Sequence, residues 1–166
     1  MSVRVFPQVE QVRQLPAQLS MSIPPQWEDR NGHVNVQYYL GLYELGGYEV
    51  LAQVGVGDAC LAAQGVGLFD FEHHILYRAE ILVGQRVSTY NRILGMNEKR
   101  FHGMYFIVND TLDRLACSIE YITAAVDLQQ RRSTVFPPAV FQGLQQQLAW
   151  HQQLDWPAPM CGSMRL

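Results

Sequence analysis

Asp29 is the residue whose type and position suggest chemistry most directly. It lies three residues before Gly32 in the polar segment Trp27–Asn35, where the dipeptide Asn31-Gly32 marks a tight turn because both residues accept positive φ. A carboxylate in such a turn has two interpretations. It accepts backbone N–H bonds as a turn former, or it acts on a carbonyl compound as a general base or a nucleophile.

A helix is predicted directly after this loop, and its first turn offers hydrogen-bond donors. Apolar residues recur at steps of three and four from Val36 to Val54 without an intervening proline, which is typical of a helix. Asn35 is a good N-cap, and Gly55 is well placed for the C-terminal end. The unpaired amides of Val36 and Gln37 can therefore polarise a carbonyl group.

The histidines admit supporting, catalytic or metal-binding roles. His33 follows Asp29 by four residues, so it can orient the carboxylate, contact the reacting carbonyl compound, cap the turn or serve as the base itself. A zinc site would have to combine these two residues with His73 and His74. Adjacent strand residues point to opposite faces, so we expect no metal site. The sequence has neither a G-x-S-x-G elbow nor a nucleotide-binding glycine pattern, and we expect no cofactor.

The elements that must position these groups follow an α+β order. A first strand begins at Leu19 and stops before Pro24-Pro25, and the polar loop and the long helix follow. Four strand candidates come next, separated by turn signals at Val83-Gly84, Gly95–Asn97 and Asn109-Asp110, which predict an antiparallel meander. A C-terminal helix completes the order. The predicted bounds are Gly67–Leu82, Arg86–Leu94, Arg100–Val108 and Leu115–Asp127 for the strands and Ala139–Gln153 for the helix.

This order predicts one curved antiparallel sheet wrapped around a long central helix, with a further helix at the C-terminus. The polar side of the central helix is thin, which indicates that most of its circumference is covered. We divide the chain into a loosely held N-terminal arm over residues 1–16, a main domain over 17–137, and a C-terminal helix and tail over 138–166.

The composition excludes several classes of protein. Of the 166 residues, 48% are hydrophobic and 16% are charged, which describes a packed globule and not a long disordered chain. A net charge of −3 without a basic cluster argues against nucleic-acid binding. The three cysteines show no CxxC spacing, so neither a disulfide framework nor a cysteine zinc site is indicated. Neither a signal peptide nor a membrane-spanning run is visible, and we expect a cytoplasmic protein.

The segment Trp27–Asn35, followed by Tyr38-Tyr39-Leu40, resembles the start of the hot-dog thioesterases of the 4-hydroxybenzoyl-CoA thioesterase type. Later stretches that resemble this family are Glu72–Gly84, Gly95–Arg100 and Val126-Asp127, so that the likeness covers residues 17–137. The resemblance implies a hot-dog fold and hydrolysis of a small or medium acyl-CoA, with Asp29 as general base or nucleophile. General likeness extends to a subgroup that acts on betainyl-CoA in carnitine breakdown. The resemblance to the hot-dog thioesterases also implies a homodimer or homotetramer whose sheets pair edge to edge, with the active site between subunits.

The candidates for substrate contact are Asn35, Tyr38, Tyr39, Glu72, Lys99 and Arg100. The tyrosines can wall a pocket, which would suit a quaternary ammonium group, but core packing uses the same residues. Glu72 lies in a strand where related enzymes often carry polar active-site groups. The basic pairs Lys99-Arg100 and Arg131-Arg132 either contact CoA phosphates or serve solubility.

Two other functions remain open. A hot-dog hydratase or dehydratase carries a D-x-N-P-x-H-like motif, whereas no proline lies between Asp29 and His33 here. A binding protein would hold an acyl-CoA or another small ligand without turnover. Release of free CoA separates the three functions, because only the thioesterase produces it.

Overall fold

The computed structural model describes residues 5–53, 61 and 63–166. A one-turn helix α1 (Val9–Val12) and strand β1 (Ala17–Ser22) precede a 3-10 turn at Pro25–Trp27. The long helix α2 spans Gln37–Gln53, within its predicted limits, while the predicted C-terminal Gly55 lies outside the described residues. The remaining elements are β2 (Val66–Tyr77), β3 (Arg86–Met96), β4 (Arg100–Asn109), β5 (Arg114–Asp127), β6 (Arg132–Ser133) and α3 (Pro138–His151).

The strands form one antiparallel sheet in the order β1-β3-β4-β5-β2, with the short β6 attached to β5. The inner face of this curved sheet holds α2, and α3 packs beside β3. The predicted α+β class, with a sheet around a long helix and a C-terminal helix, is confirmed. This architecture is the hot-dog fold that the resemblance implied.

The position of β2 corrects the predicted meander. Strands β3, β4 and β5 follow one another as hairpins, but β2 pairs with β5 while β3 pairs with β1. After Tyr77 the chain leaves the sheet edge, and the Arg78 amide donates to the Ala116 carbonyl. The following turn then contacts the end of β1, because the Gly84 N–H donates to the carbonyl of Ile23, the residue after β1. The chain therefore crosses from one sheet edge to the other between β2 and β3.

A close approach between α2 and the sheet fixes the inner core. The hydroxyl of the buried Tyr105 lies 2.7 Å from Thr89 Oγ1 and 3.1 Å from the carbonyl of Leu42 in α2. A Cβ atom at Gly46 would overlap this hydroxyl, so glycine is required at this contact. The sheet thereby holds the helix, and with it the helix N-terminus, in one position.

The outer face of the sheet is covered by both ends of the chain. Val12 of α1 and Trp156 of the C-terminal segment pack with Phe106 of β4. Arg92 of β3 donates from Nη1 to the Trp156 carbonyl at 2.6 Å and from Nη2 to the His151 carbonyl at 3.2 Å. The expected loose arm is therefore wrong for its described part, because its apolar side chains cover the outer face.

One side of α2 is open to solvent, which corrects the expectation of a helix covered on most of its circumference. The exposed fractions are 59% for Val36, 39% for Leu40 and 51% for Leu45. The sheet of a single chain covers only the opposite side of the helix. Val36 and Leu40, which lie about one turn apart, leave exposed apolar side chains at the helix N-terminus.

Candidate active site

The loop that carries Asp29 is a closed turn. The backbone amide of Asp29 donates to the His33 carbonyl at 2.9 Å, and the backbone carbonyl of Asp29 accepts the N–H of Gly32 at 3.0 Å. Gly32 has a φ of 80°, as the Asn31-Gly32 dipeptide predicted. These bonds hold the carboxylate in place directly before α2.

The Asp29 carboxylate is held in its ionised form. Oδ1 accepts the amide of Asn31 at 2.7 Å, and Oδ2 lies 3.5 Å from His33 Nδ1. Desolvation alone would raise the pKa of Asp29, but the Asn31 amide and the neighbouring His33 outweigh it and lower the pKa below the ordinary 3.8. The side chain is 16% exposed, so the charged carboxylate remains accessible to a small reactant.

The first turn of α2 leaves one amide available beside Asp29. The Asn35 Oδ1 atom accepts the Gln37 amide at 3.2 Å, and the Asn35 carbonyl accepts the Tyr38 amide at 3.0 Å. The Val36 amide has no hydrogen-bond partner among the described residues. Of the two amides expected to polarise a carbonyl group, Val36 is thus open, whereas Gln37 is occupied by the cap.

Asp29 opens into a cavity of about 490 Å³, which we call the Asp29 cavity. Its walls come from the loop, the start of α2 and the segment after β2. Tyr39 lines it and packs edge to face with Tyr77, with ring centroids 5.0 Å apart. The residues lining the Asp29 cavity are Asp29, His33, Val34, Asn35, Val36, Tyr39, Tyr77, Arg78, Ala79 and Glu80.

Arg78 and Glu80 were missed by the sequence-based prediction, although both line the Asp29 cavity. They follow β2 in a stretch predicted to be strand, and only the early end of β2 at Tyr77 brings them to the loop. The Arg78 guanidinium lies 3.9 Å from the centre of the Phe6 ring. It is the one Lys or Arg among the described residues of this cavity.

Several predicted substrate contacts lie away from Asp29. Tyr38 stacks on Trp27, with centroids 4.7 Å apart, and does not line the cavity. Glu72 is an exposed residue of β2 that lines none of the described cavities. The carbonyl of Lys99 accepts the Ala125 amide on β5. Ala125 is nine residues along β5 from Ala116, whose carbonyl accepts the amide of Arg78 in the Asp29 cavity. An extended strand covers about 30 Å in nine residues, so one chain does not bring Lys99 to Asp29.

The basic residues at that far end have their own surroundings. Lys99 and Arg132 line a shared cavity of about 480 Å³ together with Asp127. The Arg100 guanidinium lies 5.1 Å from the centre of the Phe71 ring. Lys99 and Arg132, from the two predicted basic pairs, therefore meet at this end of the sheet.

A second cavity, of about 400 Å³, lies between α2 and strands β2, β4 and β5, and we call it the Asp70 cavity. Asp70 Oδ2 lies 3.2 Å from His73 Nε2, and its Oδ1 accepts the hydroxyl of Thr123. Burial acts to raise the pKa of Asp70, but hydrogen bonds from His73, Thr123 and Tyr43 outweigh it and lower the pKa below the ordinary 3.8. Asp70 is therefore a partly buried, charged carboxylate at neutral pH.

A β-bulge places Asp70 and His73 together. Residues three apart in a regular strand point to opposite faces. The pairing of β2 with β5 shifts between Asp70 and Glu72, so Phe71 is the extra residue of a bulge that restores a common face. The sequence-based prediction missed Asp70 because it treated β2 as regular. The available signal was an Asp-x-x-His spacing in an aromatic strand.

The described residues contain no group of three or more His, Cys, Asp and Glu side chains that could hold a metal ion. His73 faces Tyr43, with ring centroids 5.0 Å apart, and His74 is the neighbour of Glu120 in the strand pairing. In the same part of the chain, every helix is too short or too polar to span a membrane.

Fold and site together define a hot-dog protein with a loop carboxylate at the N-terminus of its central helix. The family model of the thioesterase-like superfamily matches residues 23–147, and the chain therefore belongs to this superfamily. The resemblance noted in the sequence is thereby confirmed.

Two curated relatives have a thioesterase activity in their names. The chain is 30% identical over 118 residues to an L-carnitine dehydrogenase/betainyl-CoA thioesterase of Agrobacterium fabrum, which covers 71% of this chain. The chain spans only 24% of that relative's length. It is 26% identical over 133 residues to the betainyl-CoA thioesterase of Pseudomonas aeruginosa, with 80% of this chain and 84% of the relative covered.

Solved structures show the same fold. A Staphylococcus aureus protein in complex with CoA superposes with a TM-score of 0.80 at 17% identity, covering 92% of this chain and 96% of the other. A DHNA-CoA thioesterase of Staphylococcus aureus gives a TM-score of 0.76 at 14% identity, with coverages of 86% and 97%.

Proposed function

We propose that this chain hydrolyses acyl-CoA thioesters, with Asp29 at the reacting centre. The observation that carries the proposal is the ionised, accessible Asp29 carboxylate in a cavity at the N-terminus of α2. Membership of the thioesterase-like superfamily and the names of the curated relatives support the reaction class. The hydratase and binding-protein alternatives have no observation in their favour.

Two routes use the same groups. As a general base, Asp29 takes a proton from water while the water oxygen attacks the thioester carbonyl carbon. As a nucleophile, it attacks that carbon itself and forms a mixed anhydride, which water then hydrolyses. In both routes the carbon–sulfur bond breaks and CoA leaves as a thiolate that takes up a proton. The open Val36 amide donates to the oxyanion that forms on the carbonyl oxygen.

His33 has a positioning role in this proposal. Its Nδ1 atom lies 3.5 Å from Asp29 Oδ2 and 3.2 Å from the Val34 carbonyl. It therefore sits beside the carboxylate and orients it, and it can also hydrogen-bond the thioester. A His33→Gln variant tests this assignment, because an acidic limb of kcat/KM that moves with His33 would transfer the role of base to it.

The reaction is tested by incubating the protein with a panel of acyl-CoAs and a thiol-trapping dye. Asp29→Asn keeps the turn-forming side chain, so it should fold normally and lower kcat/KM by about 10² to 10⁴. Asp155→Asn, an exposed carboxylate outside the cavities described above, is the matched control and should leave the rate unchanged. Wild-type turnover by Asp29→Asn would reduce Asp29 to a turn former.

For the acyl group, we propose a small one that carries a quaternary ammonium ion. Both curated relatives have betainyl-CoA thioesterase in their names, and the betainyl group ends in trimethylammonium. The test compares betainyl-CoA with 3,3-dimethylbutyryl-CoA, in which carbon replaces the charged nitrogen. A higher kcat/KM for betainyl-CoA supports the assignment, and equal values for both substrates contradict it.

We further propose a homodimer that forms along β2. This strand is one end of the sheet, and Phe69 and Phe71 on it are 58% and 50% exposed. An unpaired edge with apolar side chains is a site for pairing with a second strand. A two-fold axis would run the two β2 strands antiparallel, so that the Tyr77 end of one copy meets the Val66 end of the other. The Asp29 cavity of one copy would then face the Asp70 cavity of its neighbour.

Light scattering at micromolar concentration tests the assembly. The wild type should have the mass of a dimer or of a dimer of dimers, and Phe71→Lys should dissociate it because charge on an edge strand opposes pairing. Leu112→Lys, an exposed apolar residue in the turn between β4 and β5, is the control and should not change the mass. A wild-type monomer would rule out both the dimer and a shared site. The cytoplasmic location stays a prediction that cell fractionation can check.

A further inference from the structure

We propose that the Asp70 cavity is a binding site for a small organic ammonium group, with Asp70 as its anionic partner and Tyr43 and Tyr121 among its aromatic walls. The inference deepens the proposed function and rests on it only in so far as the ligand is part of the substrate. The site itself is defined by its own lining, its charge and its place along α2.

Aromatic rings bound the cavity from several sides. Tyr43 of α2 packs edge to face with Tyr105, with centroids 5.1 Å apart, and with Tyr121 at 5.3 Å. Tyr121 in turn packs edge to face with Phe101 at 5.9 Å. All four rings line the cavity. A cation within about 6 Å of such ring centres is attracted by their negative faces.

The tyrosines are fixed in place and uncharged. The Tyr121 hydroxyl donates to Asn91 Oδ1 at 2.6 Å, and its ring lies across Gly103, where a Cβ atom would overlap it. Burial raises the pKa of Tyr43, Tyr105 and Tyr121 well above the ordinary 10.0, so all three stay neutral phenols. The walls of the cavity are thus preorganised.

The charged groups that the structure describes in this cavity are acidic. Asp70 and Glu44 line it, and its other described lining residues include no Lys, Arg or His. His73 approaches Asp70 but is not among the lining residues. By contrast, the Asp29 cavity contains Arg78. A neutral acyl chain would gain nothing from Asp70, whereas an ammonium group meets a carboxylate and aromatic faces in one place.

The position of the Asp70 cavity along α2 indicates whether it acts together with Asp29 of the same chain or with Asp29 of a second copy. The Asp29 cavity uses residues 35–39 at the start of α2, whereas the Asp70 cavity uses Tyr43 to Val50. The two stretches are centred about nine residues apart, which is roughly 14 Å along the helix. In a betainyl thioester the nitrogen and the carbonyl carbon are separated by one methylene. One chain therefore cannot bind both groups at these positions. In the proposed dimer, the Asp70 cavity would hold the ammonium group of a thioester bound at Asp29 of the other copy.

Binding of tetramethylammonium chloride, followed by NMR at constant ionic strength, tests the site without any turnover. We expect saturable shifts of the tyrosine ring signals, and binding about tenfold weaker in Asp70→Asn. Asp155→Asn should bind as the wild type does. Tyr43→Phe keeps the ring and should retain binding, whereas Tyr43→Leu removes a wall and should weaken it. Thermal melts establish that each variant is folded.

Two results would overturn the inference. One is tert-butyl alcohol, a neutral group of similar shape, binding as tightly as tetramethylammonium, since the site would then be an ordinary apolar pocket. The other is unchanged tetramethylammonium binding in folded Asp70→Asn. The catalytic proposal is tested by turnover in Asp29→Asn and this inference by cation binding in Asp70→Asn, so failure of one and failure of the other remain distinguishable.

Discussion

His151, at the end of α3, should make the stability of the protein depend on pH. The residue is 3% exposed, and its Nδ1 atom accepts the Ile93 amide at 2.9 Å. Burial, with a further contribution from the nearby positive charge of Arg92, lowers the pKa of His151 from 6.5 to about 4. The folded protein therefore holds this imidazole neutral, with Nδ1 as an acceptor for the edge of β3.

The direction of the pH dependence follows from which state of the protein, folded or unfolded, binds a proton at His151. Between pH 6.5 and about 4, the unfolded chain protonates His151 while the folded chain does not. Stability is thus fully present above pH 6.5 and is lost as the pH falls towards 4. At about 1.4 kcal/mol per pH unit, this gap corresponds to about 3 kcal/mol of unfolding free energy. For a chain of this size, the loss is equivalent to about 6 to 12 °C in Tm.

Urea unfolding between pH 7.5 and 4.5 measures this loss directly. His151→Gln keeps a side-chain acceptor for the Ile93 amide but cannot titrate, so its stability at pH 7 should be somewhat lower and its dependence on pH much flatter. The same slope in the variant and in the wild type would refute the assignment to His151. The experiment also guides the kinetics, because rates below pH 6.5 must be corrected for the folded fraction.

Four further outcomes are expected. The lowered pKa of Asp29 means that the acidic limb of kcat/KM, corrected for folding, should be centred at or below pH 3.8; a limb near pH 6 that vanishes in Asp29→Asn would show that desolvation prevails in the active enzyme. Gly103→Ala should destabilise the protein by about 1 to 3 kcal/mol in thermal unfolding, because the new methyl group overlaps the Tyr121 ring. Burial raises the pKa of Cys117 to about 12, so peptide mapping after brief maleimide treatment should find Cys117 unmodified while the partly exposed Cys161 reacts. Activity should survive a strong chelator; complete loss that zinc restores would contradict the metal-free mechanism.

The sequence by itself determined the local features of the site. The Asn31-Gly32 turn, the Asn35 cap and the run of α2 depend on residues within a few positions of one another, and the structure has them as predicted. The bounds of β1, β3, β4 and β5 were predicted within about two residues, whereas the end of β2 was placed at Leu82 instead of Tyr77 and the short β6 was not predicted. Backbone propensity and hydrophobic periodicity are local properties, so the sequence alone was enough to predict these features.

Tertiary structure alone decided which distant residues meet. The alternation of β2 does not specify its partner, and only pairing with β5 brings Asp70 to Thr123. The bulge at Phe71 then reverses the face of every following residue in β2, a change that a period-two pattern cannot show. Arg78 lines the Asp29 cavity for a related reason, because the chain leaves the sheet edge after Tyr77. Long-range pairing depends on the total area and hydrogen bonds of the assembled sheet, and no short stretch of the chain contains that information.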